Sequence, residues 1–240
     1  MNLPRCLASL LPLLFACPIC RGPQDSSRTV CSRCQQFLSQ QAIPRYRCRR
    51  CATPLPSAGT CPACLAGPTV LGGVRAAFDY TLPLDHLLHQ AKFRRNRGAM
   101  QTLALLFAEQ AMHWLEVTRT RDHGLRPVLV PVPLHPQRQR RRGYNQAAWL
   151  ARCAAGATGL AMRETLLERK KRTLPQSDLA WQQRRKNVRD AFTGRDRPPR
   201  QVILVDDVMT SGSTLESAAR SLKALGAQDV SAWVLLRAGR

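Results

Sequence analysis

Residues 202–214 read Val202-Ile203-Leu204-Val205-Asp206-Asp207-Val208-Met209-Thr210-Ser211-Gly212-Ser213-Thr214. The first four are β-branched or apolar without alternation, the pattern of a parallel strand covered on both faces. Two adjacent acids are expected to end that strand. The residues 210–214 then offer backbone N–H groups and hydroxyls at the start of a helix. That helix has Leu215, Ala218, Ala219, Leu222 and Leu225 on one face and Gly226 where a left-handed stop belongs. A small-residue turn into a helix suits a phosphate, because orphan N–H groups and the helix dipole point at it. The carboxylates of Asp206 and Asp207 repel a phosphate but suit hydroxyls or a metal close by. A sugar phosphate has both parts.

The stretch resembles the phosphoribosyl pyrophosphate (PRPP) motif of type I phosphoribosyltransferases: four apolar residues, two acids, two further residues, then a Thr/Ser/Gly loop ending in Thr. All thirteen positions fit. An ordinary strand-to-helix turn would not need the acid pair and the hydroxyl loop in register. A Walker A loop is excluded, since no G-x-x-x-x-G-K-[ST] occurs.

The chain has 240 residues, 37 Lys+Arg against 15 Asp+Glu, and a formal net charge of +22. Such an excess suits polyanions: nucleic acid, nucleotides or polyphosphates. It is uneven, with 8 basic and 1 acidic residue in 1–70 and 17 basic and 5 acidic in 138–200. Heavy Arg use could also supply merely solvated surface charge. Eight of the ten cysteines form C-x-x-C pairs: Cys17/Cys20, Cys31/Cys34, Cys48/Cys51 and Cys61/Cys64, with gaps of 10, 13 and 9 residues. Two such knuckles supply the tetrahedral sulfur set of a structural zinc site, so eight ligands imply two ions. The sequential pairing is the simplest, a crossed one stays open, and an iron–sulfur cluster or redox dithiol is the minor alternative. Metal thiolates point to a reducing compartment, the cytoplasm. Cys6 and Cys153 stand alone, and Cys153 reads as core.

Along the chain, residues 7–16 are apolar but far short of the roughly 20 needed to span a membrane. A lipoprotein signal there conflicts with the need for Cys17 in a metal pair, so a short packed helix is expected. Residues 65–72 read as a linker, placing a zinc-ribbon domain at 1–67 and a second domain at 68–240. A strand from Val74 leads to helices over 84–93 and 99–117, then to a buried strand over 128–133. Next come Leu134, Arg138, Arg140, Arg141 and Arg142, which crowd a loop, and Gly143, which permits an unusual turn before a helix over 145–159. Ligands of α/β folds sit beyond the carboxyl ends of strands, so this loop and residues 206–214 are expected to face each other. Guanidinium forks pair well with pyrophosphate. The basic segment 169–192 reads as a lid or a nucleic-acid face, and its Trp181 as a helix anchor or a stacking platform. A strand over 230–236 closes the chain.

This layout resembles the ComF/GntX (competence protein F) family. Its marks are Leu14-Phe15, the four cysteine pairs, His89-x2-Lys92-Phe93, the run from Pro131 to Leu134, Arg141-Arg142-Gly143-Tyr144-Asn145-Gln146, Thr173-x2-Gln176-x2-Leu179, Arg185-x-Asn187, Ala191-Phe192 and the motif above. Ser211 stands where Thr is common. The resemblance implies an α/β fold, a type I phosphoribosyltransferase-like, Rossmann-like parallel sheet with helices on both faces, preceded by a small double zinc ribbon. It implies that Asp206 and Asp207 bond the ribose hydroxyls. Val208, Thr210, Ser211, Gly212, Ser213 and Thr214 would cradle the 5′-phosphate. Leu134, Arg138, Arg141 and Arg142 would meet pyrophosphate with Mg²⁺, and Arg172, Thr173 and Gln176 would form a hood. Catalysis, if it occurs, rests on charge stabilisation by Asp206, Asp207, Arg141 and Arg142 and on water exclusion. Three readings follow: a PRPP-binding, single-stranded-DNA-binding protein of DNA uptake that works with an uptake helicase or channel protein; an active phosphoribosyltransferase of nucleotide metabolism; or a PRPP sensor. No acceptor pocket is legible.

Overall fold

The computed structural model describes residues 16–23, 29–41, 46–67, 69–119, 126–170 and 191–239. The N-terminal apolar stretch, Cys6, Trp181 and the hood residues Arg172, Thr173 and Gln176 lie outside these.

Four parallel strands carry the chain: β3 (Val74–Asp79), β4 (Val128–Pro131), β7 (Gln201–Met209) and β8 (Asp229–Arg237), in the order β3-β8-β7-β4. The unalternating apolar run of β7 is explained by cover on both faces. Ile203 and Val205 join a core with α3 (Leu84–Phe93), α4 (Arg97–Arg119) and α6 (Gln146–Thr158). Val202 and Leu204 point the other way, to a core with Leu215, Ala218, Ala219 and Leu222 of the following helix, α7 (Ser213–Ala224). Leu225 is not on that buried face; it is the C-cap and is 38% exposed. Gly226 does take a left-handed φ of 106°.

Three features of the fold depart from the sequence expectation for physical reasons. β7 does not stop at the acids but runs through them to Met209, because β8 pairs with it as far as Met209–Arg237. The arginine-rich residues form a short helix, α5 (Pro136–Arg142), where a loop was expected. Its apolar positions give no helical period; the His135 side chain caps it by accepting from Gln137 N–H, Pro136 opens it, and Gly143 ends it at φ 86°. Finally, β5 (Leu167–Arg169) and β6 (Phe192–Gly194) pair antiparallel, so the two ends of the basic segment lie side by side.

The cysteine-rich region contributes α1 (Ser32–Gln41), the two-residue strands β1 (Tyr46–Arg47) and β2 (Pro54–Leu55), and α2 (Pro62–Leu65). It is tied to the sheet by the Arg47–Asp79 ion pair at 3.0 Å, by Val74 N–H donating to Arg49 O, and by Thr29 Oγ1 donating to Glu109 in α4. Among the described residues, no helix is long and apolar enough to cross a membrane.

Candidate functional site

Strand alternation decides what the two acids face. Asp206 continues the Val202/Leu204 side and Asp207 the Ile203/Val205 side. Lys92, at the last turn of α3, therefore reaches Asp207, with Nζ 2.8 Å from Oδ2 and both side chains mostly buried. The end of α3 is itself fixed by Tyr144, whose hydroxyl donates to Ala91 O at 2.7 Å. On the other side, Arg169 of β5 lies close enough to Asp206 for each charge to stabilise the other. Its buried guanidinium sits 5.3 Å from the Phe192 ring centroid. Burial, and then Arg138, bring the Arg169 pKa down to about 10, so it stays cationic at neutral pH.

Asp206 is half-buried and lines the concavity that opens beyond β7. Burial, then the neighbouring Asp207 carboxylate, push its pKa up from 3.8 to about 7; the Asp207 N–H, Lys92 and Arg169 pull the other way. Asp207 N–H donates to Asp206 Oδ1 at 2.8 Å. The site thus holds a carboxyl poised to lose a proton near neutrality beside a carboxylate already paired with a lysine.

Beyond the acids, Asp206, Val208, Met209, Thr210, Gly212, Thr214 and Leu215 line a shallow, open concavity. Gly212 is the N-cap of α7 at φ 80°, and a Cβ there would come 2.7 Å from Met209 Cε. Only glycine allows both the turn and the close approach. Ser211 Oγ lies 2.9 Å from Ser213 Oγ and accepts from Ser213 N–H, the first of the helix, at 3.4 Å, while the N-cap residue Gly212 has no side chain to cap it. The start of α7 therefore offers N–H donors and hydroxyls to an anion.

β4 and β7 are neighbours, and Val132 N–H donates to Val205 O at 2.9 Å, so the segment after β4 leaves the sheet beside the acids. Asn145 anchors its far end: its Oδ1 caps α6 at Ala147 N–H and its Nδ2 donates to Val132 O. Leu134 and Arg138 are half-buried there, and Arg138 is near enough to Arg169 to act on its charge. Arg142 turns aside: its Cζ lies 5.7 Å from the centroid of the exposed Phe93 ring, and its Nη1 donates to Gln146 Oε1. The Arg141 side chain is exposed, while its carbonyl accepts from Arg95 Nη2. Thus Arg138 stands toward Arg169, and Arg142 toward Phe93 beside Lys92. The sequence reading assigned no role at the site to Lys92 and Arg169. Lys92 stood within a family mark, and only β-alternation of the acid pair could have pointed to both.

The eight cysteines form two sets, Cys17/Cys20/Cys31/Cys34 and Cys48/Cys51/Cys61/Cys64, each with all four sulfurs within 4.8 Å of one another. This is the sequential pairing. Both are built alike. Arg21 and Ala52 follow the first knuckle at positive φ (63° and 57°), each donating its N–H to the carbonyl of the leading cysteine, Cys17 or Cys48, at 2.8 Å. The second cysteine pair of each set comes at a helix start, α1 or α2. The donor set fits zinc: Zn–S bonds of about 2.3 Å in a tetrahedron put sulfurs roughly 3.8 Å apart, and Cys20–Cys31 and Cys51–Cys61 lie at 3.6 Å. The crowded thiols divide their protons unevenly. Burial raises Cys17, Cys34, Cys51 and Cys64, but backbone N–H donors hold Cys17 down at about 7 and the Thr53 hydroxyl and N–H hold Cys51 at about 6, while Cys34 and Cys64 are driven up by burial and by their sulfur neighbours. A dication removes that conflict by taking four thiolates at once.

Comparison with known proteins agrees with both halves. Residues 6–65 match the double zinc ribbon domain family and residues 177–240 the phosphoribosyl transferase domain family. Competence protein F of Haemophilus influenzae is 32% identical over 230 residues, covering 93% of this chain and 97% of that protein. The DNA utilization protein YhgH of Salmonella typhi is 34% identical over 227 residues, 92% and 96% of the two chains. The competence protein ComFC of Streptococcus pneumoniae is 26% identical over 163 residues, 68% and 67% of the two.

Proposed function

We propose, for a chain that belongs to the competence protein F family, that the concavity beyond β7 binds PRPP with Mg²⁺ and that the protein also binds single-stranded DNA in DNA uptake. The observation that carries the ligand reading is the register of the site. Two carboxylates at the end of one strand face opposite cations, Lys92 and Arg169, and are followed at once by a glycine-turned helix start. Asp206 and Asp207 accept from ribose hydroxyls. Val208 and residues 210–214 surround the 5′-phosphate, and Leu134, Arg138, Arg141 and Arg142 stand on the pyrophosphate side. Mg²⁺, which prefers hard oxygen ligands, would enter with the ligand's phosphates and offset their charge.

Calorimetry with PRPP and Mg²⁺ tests this on wild type and on an Asp206→Asn/Asp207→Asn variant. Loss of at least about tenfold in affinity is expected, since each charged hydrogen bond is worth about 1.5–3 kcal/mol. Equal affinity for the two proteins refutes the assignment. The DNA reading rests on the +22 charge and on the names of the relatives. It requires affinity for single-stranded DNA to fall steeply from low to moderate salt, with a log–log slope near −0.7 per phosphate contacted. A flat response refutes it.

A further inference from the structure

The least exposed charged side chain of the described core is Arg237, at 1%. It stands at the carboxyl end of β8, in register with Met209 of β7. Its hydrogen bonds go in two directions. Nη1 donates to Met209 O at 3.0 Å and to Thr210 O at 2.9 Å, the two carbonyls that lead into the phosphate loop, and also to Ala238 O. Nε donates to Cys51 O at 2.7 Å and Nη2 to Thr53 Oγ1 at 3.0 Å, both in the second cysteine set. Thr53 Oγ1 is in turn 3.1 Å from Cys51 Sγ, and Thr53 O accepts from Cys48 N–H at 2.8 Å. One planar, permanently charged fork, 186 residues from Cys51 in sequence, thus joins a metal knuckle to the start of an anion loop. The first cysteine set lies in the other core cluster.

The knuckle can hold these partners in place only while its own shape is held. Ala52 sits at φ 57°, a conformation that costs a non-glycine residue about 1 kcal/mol or more and persists only where the surroundings impose it. Four sulfurs bound to one ion impose it. Without the ion nothing ties the four sulfurs to one point, the turn at Ala52 relaxes, and Cys51 O and Thr53 Oγ1 leave the arginine. A buried guanidinium that loses partners must find others or draw in water, and the carbonyls of Met209 and Thr210 move with it.

We propose that Arg237 is a positioning residue that couples metal occupancy of the second cysteine set to the shape of the Met209–Thr214 loop, so that the loop accepts phosphate only when that set is loaded. The ligand named here rests on the PRPP reading above; the coupling itself does not. Three full-length variants test it. Cys64→Ser disables the second set at a ligand that Arg237 does not touch. Cys20→Ser disables the first set at an exposed ligand. Thr53→Val keeps both ligand sets and removes one link. Hydrogen exchange of the amides in 208–214 is read in each, alongside zinc stoichiometry and the rate of zinc capture by a chromophoric chelator with and without PRPP–Mg²⁺.

Cys64→Ser is expected to raise loop exchange by about tenfold, Thr53→Val by a few-fold with two zinc ions retained, and Cys20→Ser by less than about twofold. By reciprocity, PRPP–Mg²⁺ is expected to slow release of one zinc equivalent and not the other. Loop exchange unchanged in Cys64→Ser and Thr53→Val overturns the proposal, as does an equal rise in Cys20→Ser. Thr53→Val guards against the case in which Cys64→Ser unfolds the region. Raised loop exchange in a protein that binds no PRPP keeps the coupling and sinks the ligand reading. PRPP binding with an indifferent loop does the reverse.

Discussion

Replacing Lys92 by Met removes the cation 2.8 Å from Asp207 while keeping the bulk of the side chain. Two consequences follow, in stability and in proton affinity. The pair lies between the exposed and buried extremes, with side chains 17% and 14% exposed. Exposed pairs contribute about 0–1 kcal/mol, and breaking a buried pair costs about 3–5 kcal/mol, so a loss of about 2 kcal/mol is expected. For a chain of this size that lowers Tm by about 4–8 °C. The second consequence concerns Asp206. Its carboxyl titrates at about 7, and Lys92 is one of the groups holding it down. A ribose hydroxyl donates to an ionised carboxylate. Affinity for PRPP–Mg²⁺ should therefore be full above pH 7 and fall about tenfold per unit below it. Stability runs the opposite way. The folded carboxyl keeps a proton that the unfolded one releases near 3.8, so folding is favoured at low pH and loses at most about 4 kcal/mol as pH rises from 4 to 7. In Lys92→Met the midpoint of the binding profile should move upward by about one unit, and Lys92→Arg should restore it. Calorimetry over pH 5.5–8.5 reads the midpoint. A midpoint that stays in place or moves down refutes the arrangement of charges described here.

Gly212→Ala forces a side chain into a left-handed turn and against Met209 Cε. A destabilisation of about 1–2 kcal/mol is expected by thermal melting, with a larger loss of PRPP affinity than of stability. Asn145→Ala removes the cap of α6 and the bond to Val132 O; about 1–2 kcal/mol of stability should go. Removal of metal by a chelator should release two zinc ions per chain and unfold the cysteine-rich region. A metal-to-protein ratio well below two in the purified protein would refute the double site.

What the sequence made legible was local. The knuckles, the span of α3 and the turns at Gly143 and Gly226 follow from residues a few positions apart. The length of β7 and the helicity of α5 did not. β7 extends past two acids because β8 supplies ladder partners there, a contact no window of sequence contains. α5 is polar throughout and is defined by its ends rather than by a stripe. The same limit hid the partners of the acids. Lys92 precedes Asp207 by over a hundred residues, and Arg237 is an arginine at the end of an apolar strand, which by composition alone reads as a solvated terminus. Even the cysteines were legible as ligands but not as sets, since sequential and crossed pairings share one spacing.

The distribution of the two cysteine sets changes what the ribbon does for the rest of the chain. Cys17, Cys31 and Cys34 pack in the core shared by α3 and α4, on the Asp207 side of the sheet. Cys48, Cys51 and Cys61 pack in the core of the opposite face, with α7 and the β5–β6 hairpin, on the Asp206 side. Each face of a four-stranded sheet thus ends against one knuckle. A sheet this small leaves its first strand, β3, with a single neighbour, β8, and the ribbon lies along it, bonded at Val74 and Asp79. A metal-held edge replaces the further strand or helix that would otherwise bury that side. The reach from there to the anion loop is one residue, Arg237. Loss of the second metal should therefore be felt at the anion loop, through Arg237, whereas loss of the first should be felt in the core it shares with α3 and α4.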